Sequence, residues 1–189
     1  YTASVIGCSR QDAKAHTFKP LYGGVSGTED QKRYYNAFKE KYNGVTKWHE
    51  ELQKHAVMKK HIRLPSGRQY AFPQARWTDW GAATDRTAIC NYPVQGFATA
   101  DLLPMSLILL DRKVRELGMK SVICNTVHDS IVMDVYPSEE KQCIDVMAEC
   151  MLAIPMESKD RYNIEYNMPV GIELKIGKNW LDLEEILTV

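Results

Sequence analysis

The chain has 189 residues, of which 44% are hydrophobic, 10% aromatic and 25% charged, a composition that favours a folded domain and excludes fibrous, low-complexity and disordered proteins. Its formal charge is zero, but residues 1–76 contain 14 Lys and Arg against 6 Asp and Glu, whereas residues 77–189 contain 10 against 18. A first half of +8 is typical of a surface that binds a polyanion, and it is equally typical of solvated helix faces.

Neither the apolar runs nor the cysteines indicate a membrane or secreted protein. The longest apolar run, 102–110, contains Pro104 and Ser106 and is shorter than the roughly 18 to 20 residues of a membrane span. No signal peptide opens the chain, and the five cysteines include no C-x-x-C pair. We expect a soluble, reduced, cytoplasmic protein. Because Tyr1 stands where an initiator methionine would, we also expect a fragment, a processed product or one piece of a split protein.

Hydrophobic periodicity and turn residues predict the secondary structure. In chain order the patterns predict a helix over 9–22 with Ser9 as its N-cap, a helix over 28–60 with a break at 43–44, a hairpin over 61–73, a helix over 97–117, a hairpin of strands 122–127 and 131–135, a helix over 139–154, and a strand near 170–176 before a short polar tail. Helices followed by antiparallel hairpins with packed helices predict the α+β class.

Four residues spaced four apart share one stripe of the first helix: Arg10, Lys14, Phe18 and Tyr22. Two cations followed by two aromatic rings suit a triphosphate and a base. The same spacing is typical of a half-exposed helix whose rings enter the core while its cations extend to solvent. Spacing alone favours the second interpretation.

His128, Asp129 and Ser130 lie between two apolar strands of the second predicted hairpin. A tight turn there would hold a carboxylate rigidly at a sheet edge, where a divalent metal could bind it. Asp and Ser also favour turns because they bond to their own backbone, and this ordinary turn chemistry is the favoured interpretation of the segment by itself.

The segment from Asn91 to Gly96, with Gln95 inside it, leads into the helix that contains Asp101. Asn and Gln near a helix start can contact a groove edge or a nucleotide backbone. A loop with an N-cap is the simpler interpretation of this segment in isolation.

Together the three segments resemble the C-terminal part of the family A DNA polymerases, of the DNA polymerase I type common in bacteria and phages. Residues 10–23 are similar to the fingers motif B, R-x3-K-x3-F-x3-Y-G; residues 91–101 to N-x-P-x-Q-G-x-A-x-x-D; and residues 127–129 to the palm motif C. Further similar stretches lie at 42–48, 64–70 and 177–180. The resemblance covers nearly the whole chain and implies a partial right-hand polymerase fold, with mostly helical fingers over 1–60 and a palm of antiparallel hairpins and helices over 61–189.

The resemblance implies nucleotide-binding roles for the stripe on the first helix. Arg10 and Lys14 would bind the phosphates of the incoming deoxynucleoside triphosphate, and Lys14 would also donate a proton to the departing pyrophosphate. Phe18 would stack near the sugar and base, and a Phe there implies poor acceptance of nucleotides that lack a 3′-hydroxyl. Tyr22 would pack beside the templating base.

The resemblance also implies contacts with primer–template DNA and with metal. Asn91, Gln95 and His128 would contact the duplex at the primer terminus, as would Arg86, which lies five residues before Asn91 where the family usually has four. Asp129 would bind the two Mg²⁺ ions that activate the primer 3′-hydroxyl and neutralise the triphosphate.

Two departures from the family pattern limit these roles. Ser130 stands where motif C often carries a second acid, so the role of that acid is open. Motif A, D-Y-S-x-I-E-L-R, which supplies the other metal-binding aspartate, does not occur in the sequence. We therefore expect this chain by itself to be inactive and to act with a complementary chain that carries motif A and the thumb. Two alternatives stay open: part of a single-subunit RNA polymerase, and a non-catalytic module that binds primer–template DNA.

Overall fold

The computed structural model describes residues 7–24 and 26–188, apart from the side chains of Arg10 and Ala15. It contains two compact units, Tyr1–Gly96 and Phe97–Val189. This boundary lies 36 residues beyond the predicted limit of the fingers at residue 60. Compact units and functional subdomains need not coincide, so fingers over 1–60 and palm over 61–189 stay a prediction.

Unit 1 begins with three helices, followed by a small hairpin and the start of a further helix. In order they are α1 (Arg10–Leu21), α2 (Glu29–Lys41), α3 (Asn43–Lys59), β1 (His61–Arg63), β2 (Gln69–Ala71), α4 (Arg86–Asn91) and a π-helical turn (Tyr92–Gly96). The predicted cap of α1 is confirmed, because the Ser9 hydroxyl accepts a hydrogen bond from the Asp12 N–H at 3.1 Å. Its predicted end is confirmed as well, since Gly23 follows with φ +79°, a conformation that favours glycine.

The core of unit 1 is formed where α3, the hairpin and α4 meet. Its buried apolar side chains are Ala56, Ile62, Phe72, Ala75, Ala83 and Ile89. The amide of Gln53 joins α3 to the loop before α4, since its Oε1 accepts from the Ala83 N–H at 3.1 Å. The core therefore fixes α4 and the π-helical turn after it.

Unit 2 places one long helix and two shorter helices beside two hairpins. In order its elements are a π-helical turn (Ala98–Leu102), α5 (Leu103–Glu116), β3 (Val122–Val127), β4 (Ser130–Asp134), a 3₁₀ turn (Pro137–Glu139), α6 (Glu140–Leu152), α7 (Ile154–Tyr162), β5 (Glu173–Ile176) and β6 (Glu184–Thr188). Leu110, Ile131, Val146 and Cys150 form its core. All three hairpins are antiparallel, which confirms the α+β class.

Three sequence expectations about the elements are wrong. The predicted loop at 91–96 is helical, because the chain is helical from Arg86 onwards. The predicted stop at Ile154 begins α7, since Pro155 occupies its first turn, where the missing N–H costs nothing. The polar tail contains β6, which pairs with β5 although Glu184 and Glu185 weaken its strand pattern.

One helical segment of the described chain, Arg86–Glu116, is long and apolar enough to cross a membrane by length and composition alone. Core helices of proteins without membrane spans meet the same criterion. Leu103, Leu107 and Leu110 of this segment pack in the core of unit 2.

Candidate functional site

The stripe on α1 lies on the exposed side of the helix. Lys14 is exposed, Phe18 is 42% exposed, and Tyr22 is half-buried at the end of the helix. The rings of Phe18 and Tyr22 stack with their centroids 6.3 Å apart and an interplanar angle of 16°. The simpler interpretation of the stripe required the Phe18 ring to enter the core of unit 1, and it does not. The side chain of Arg10 lies outside the described part of the chain.

Tyr22 and Gln95 meet on this surface although they lie 73 residues apart in the sequence. The Gln95 Nε2 donates to the Tyr22 hydroxyl at 3.4 Å. Gly23, the next residue, packs so closely on α4 that a Cβ there would lie 3.3 Å from both Arg86 Nε and Cys90 Sγ. The end of α1 and the segment from Arg86 to Gln95 thus form one surface within unit 1.

Aromatic contacts position the π-helical turn that carries Gln95. The Tyr92 ring lies 5.2 Å from the Tyr70 ring and 5.9 Å from the Phe72 ring, centroid to centroid. A Cβ at Gly96 would overlap the Tyr70 hydroxyl and lie 2.7 Å from Tyr70 Cζ. Glycine therefore lets the helix backbone approach the Tyr70 ring closely.

Asn91 and Arg86 each hold a buried polar atom that has no hydrogen-bond partner in the described residues, Oδ1 and Nε respectively. Five residues of α-helix separate them by about 140°, so the two side chains lie on different faces. Arg86 lines a cavity of about 50 Å³ together with Gly23 and His49. The structure thus places Arg86 beside the end of α1, away from the face of Asn91.

His49 is a polar residue of this region that the sequence analysis missed. It is 5% exposed, and burial lowers the pKa of its imidazole; the carbonyl of Leu21 opposes this effect and the charge of Arg86 adds to it. Burial also raises the pKa of the nearby Cys90 thiol to about 11, which keeps it protonated. His49, Gln53 and Ala56 follow one another at i, i+4 and i+7 along α3. This helical spacing was the signal that could have identified His49 as buried.

In unit 2, His128 and Asp129 are the two connecting residues of the β3–β4 hairpin, since Val127 pairs with Ser130. His128 has φ +54°, a left-handed conformation that costs a non-glycine residue roughly 1–2 kcal/mol. The Ser130 hydroxyl donates to the Val127 carbonyl at 2.9 Å and so closes the turn. Asp129 is exposed at the tip, and its carboxylate makes no hydrogen bond or ion pair with any described residue.

A single free carboxylate fits one half of a magnesium site. Mg²⁺ is usually bound by one or two carboxylates plus substrate phosphates and water. Within the described ranges no cluster of three or more His, Cys, Asp or Glu side chains could hold a metal ion. Asp129 also lines an open groove of about 1350 Å³ in unit 2, bounded by β4, α6, β5 and β6.

Comparison with known proteins identifies the family. The sequence model of DNA polymerase family A matches residues 3–182, and the chain belongs to this family. It is 31% identical over 169 residues to a DNA polymerase of Bacillus phage SP01, which covers 86% of this chain and 18% of that protein. It is also 31% identical over 185 residues to DNA polymerase I of Lactococcus lactis subsp. cremoris (strain MG1363), which covers 92% of this chain and 20% of that protein.

A solved structure has the same fold. The POL domain of Pol1 from M. smegmatis, in complex with DNA primer-template and dNTP, superposes with a TM-score of 0.68 and 20% identity over 81% of this chain and 30% of that chain. These matches confirm the family and the α+β polymerase fold that the sequence predicted. The chain spans about a fifth of the length of the two polymerases above.

Proposed function

We propose that this chain is the fingers-and-palm part of a template-directed DNA polymerase, a nucleotidyltransferase that adds deoxynucleotides to a primer 3′-hydroxyl. The observation that carries the proposal is the contact of Tyr22 with Gln95 beside the exposed, stacked Phe18. It joins two motifs of the family on one accessible surface of unit 1. Asn91, four residues before Gln95, belongs to the same family motif, and its Oδ1 is buried without a partner among the described residues.

The exposed stripe of α1 would bind the incoming deoxynucleoside triphosphate. Lys14 makes no ion pair with any described residue, so its ammonium is available for the phosphates, together with Arg10. The primer 3′-hydroxyl loses its proton to water, and its oxygen forms a bond to the α-phosphorus while the bond from this phosphorus to the pyrophosphate oxygen breaks. Lys14 would protonate that departing oxygen, and Phe18 and Tyr22 would hold the sugar and the base in line.

The turn of the β3–β4 hairpin would contribute to the metal site and to primer binding. Asp129 would hold Mg²⁺, and the strained backbone of His128 supports a functional role, since strain of this kind is concentrated at functional sites. When bound, the two ions supply positive charge at the primer 3′-hydroxyl and at the triphosphate. The second aspartate and the thumb would come from residues outside these 189, on the same polypeptide or on a complementary chain. The site would act on primer–template DNA in the cytoplasm, including that of a phage-infected bacterium.

Primer extension with Mg²⁺ and all four deoxynucleotides tests the proposal. The chain is assayed alone and in a polymerase assembled with the segment that carries motif A. We expect primer extension by the assembly and none by the isolated chain. Asp129→Asn should reduce the extension rate of the assembly more than about 100-fold, a larger loss than is usual for a residue that only hydrogen-bonds to a metal ligand. The matched control is Asp134→Asn, an exposed aspartate on the same hairpin that should leave the rate unchanged.

Other outcomes separate the alternatives. Extension by this chain alone would overturn the dependence on an external aspartate. Tight binding of primer–template with no extension by any assembly would indicate the non-catalytic binding module. Extension with ribonucleotides and not deoxynucleotides would indicate an RNA polymerase, which the family match does not favour.

A further inference from the structure

The face of α1 opposite the exposed stripe holds the helix against the rest of unit 1. His16 lies two residues from both Lys14 and Phe18, which places it about 180° from the middle of the stripe. Among the described side chains of α1, Ala13 and Pro20 are the buried ones, and both are small. Apolar packing therefore fixes the rotation of α1 weakly, and polar contacts have a correspondingly larger part in it.

Two hydrogen bonds join His16 to α2. The His16 Nδ1 lies 2.7 Å from the Tyr35 hydroxyl, and the His16 Nε2 lies 3.2 Å from the Gln31 Nε2. Tyr35 is completely buried, and burial raises the pKa of its hydroxyl, so the phenol stays neutral. The ammonium of Lys19 adds a third contact, 5.5 Å from the centre of the Tyr35 ring.

The N-cap of α2 determines which ring nitrogen of His16 carries the proton. The Thr28 N–H donates to the Gln31 Oε1 at 3.1 Å in a capping box, so the Gln31 Nε2 is the atom that faces the imidazole. An amide NH₂ only donates, and the His16 Nε2 must therefore accept. The proton consequently lies on Nδ1, which donates to the Tyr35 hydroxyl.

We propose that His16 is a positioning residue of the nucleotide site: the chain Gln31–His16–Tyr35 sets the rotation of α1 and thereby aims Lys14, Phe18 and Tyr22. This inference rests on the proposed function of the stripe. It extends that function to three residues outside the stripe. It also makes the imidazole tautomer depend on the N-cap of α2.

The tautomer is testable without any activity. With ¹⁵N-histidine in the 189-residue chain, long-range ¹H–¹⁵N correlation should give His16 a protonated Nδ1 and a bare Nε2 at neutral pH. Gln31→Glu keeps the capping box but presents an acceptor to Nε2, so Nε2 should then carry a proton. A wild-type His16 with its proton on Nε2, or a Gln31→Glu spectrum identical to wild type, would overturn the chain of hydrogen bonds.

The positioning role is tested with Tyr35→Phe, which removes the acceptor for Nδ1–H but keeps the ring. In the assembled polymerase, the KM for deoxynucleotide should rise about two- to tenfold, the range expected for loss of one hydrogen bond, with a smaller change in kcat. Tyr42→Phe is the matched control, because its hydroxyl is exposed and bonds to no described residue of α1. An unchanged KM in Tyr35→Phe would refute the role.

Amide hydrogen exchange distinguishes failure of this inference from failure of the proposed function. The amides of α1 should exchange faster in Tyr35→Phe than in Tyr42→Phe. Absence of primer extension by the wild-type assembly would count against the polymerase function. The exchange rates would still test whether the hydrogen bonds of His16 position α1. Equal exchange rates in the two variants would overturn it.

Discussion

At the scale of single residues, Gly96 packs directly against the end of the Tyr70 side chain. A Cβ there would meet the ring of Tyr70, 2.7 Å from Cζ. We expect Gly96→Ala to lower the free energy of unfolding by about 1–3 kcal/mol, because the helix or the Tyr70 ring must shift to admit the methyl group. Urea denaturation of the two proteins measures the difference.

Two further variants identify the cause. Tyr70→Ala should remove most of the additional cost of Gly96→Ala, since the two changes share one contact. Gly44→Ala is the control: beyond its chain neighbours and its own helix backbone, no atom lies within 4 Å of the added Cβ, and alanine in α3 should raise stability by up to about 1 kcal/mol. A Gly96→Ala protein as stable as wild type would contradict the close approach.

His49 gives a second prediction at this scale, a pH dependence of stability. Burial lowers the pKa of the folded imidazole below its ordinary 6.5, so the unfolded chain binds the proton more readily. The contribution of the uncharged His49 to folding stability is therefore complete above about pH 6.5, and it is lost as the pH falls from there towards the lowered pKa. His49→Gln should remove this part of the pH dependence, measured by urea denaturation between pH 5 and 8. The same change at His55, an exposed residue of α3, should keep it.

At the scale of elements, Glu139 ties the start of β3 to the turn before α6. Its carboxylate accepts from the N–H groups of Lys120 and Ser121 and from the Ser121 hydroxyl, at 2.7 to 3.0 Å. The backbone bond from Lys120 is the largest cause that lowers the pKa of this carboxyl, followed by the two bonds from Ser121. The resulting stabilisation is present above about pH 4.5 and is lost as the pH falls through the lowered pKa.

Glu139→Gln should therefore destabilise the chain at neutral pH, and its difference from wild type should shrink as the solution is acidified below pH 4.5. Thermal unfolding followed by circular dichroism at several pH values measures this difference. Glu140→Gln is the matched control, since this neighbouring carboxylate bonds to no described residue. A difference that grows on acidification would contradict the assignment.

The elements also indicate how far sequence reasoning reaches. The ends of α1 and the β3–β4 hairpin were predictable because they depend on local chemistry at Ser9, Gly23 and His128-Asp129, although Ser130, predicted to lie in the turn, begins β4. The π-helical turns were not, since they use the same residue types as an α-helix and differ only in the carbonyl that accepts each bond. The shared face of Phe18 and Tyr22 followed from their spacing, but the contact of Tyr22 with Gln95 needs the tertiary fold.

At the scale of the whole molecule, charge divides between the two units. Residues 1–96 contain 15 Lys and Arg against 8 Asp and Glu, and residues 97–189 contain 9 against 16. We therefore expect the affinity for primer–template DNA to fall steeply as salt is added, with the logarithm of the binding constant linear in the logarithm of the salt concentration, because bound phosphates release counterions. Fluorescence anisotropy over a salt series measures the slope.

Two variants divide this binding into its parts. Arg86→Gln should make the salt slope shallower by about one unit if its guanidinium contacts a phosphate, whereas Asn91→Ala should weaken binding with the slope unchanged. An unchanged slope in Arg86→Gln would assign Arg86 to the interior of unit 1, beside Gly23 and His49.

The three hairpins each consist of two strands, so in the described part of the chain both outer edges of every hairpin lack a strand partner. Two-stranded hairpins are only marginally stable, and open edges are templates for pairing with other copies. Overproduced by itself, the chain should accumulate in inclusion bodies that are rich in β-structure. A segment that pairs with those edges would then serve as a folding chaperone, and its co-expression would raise the yield of dispersed protein.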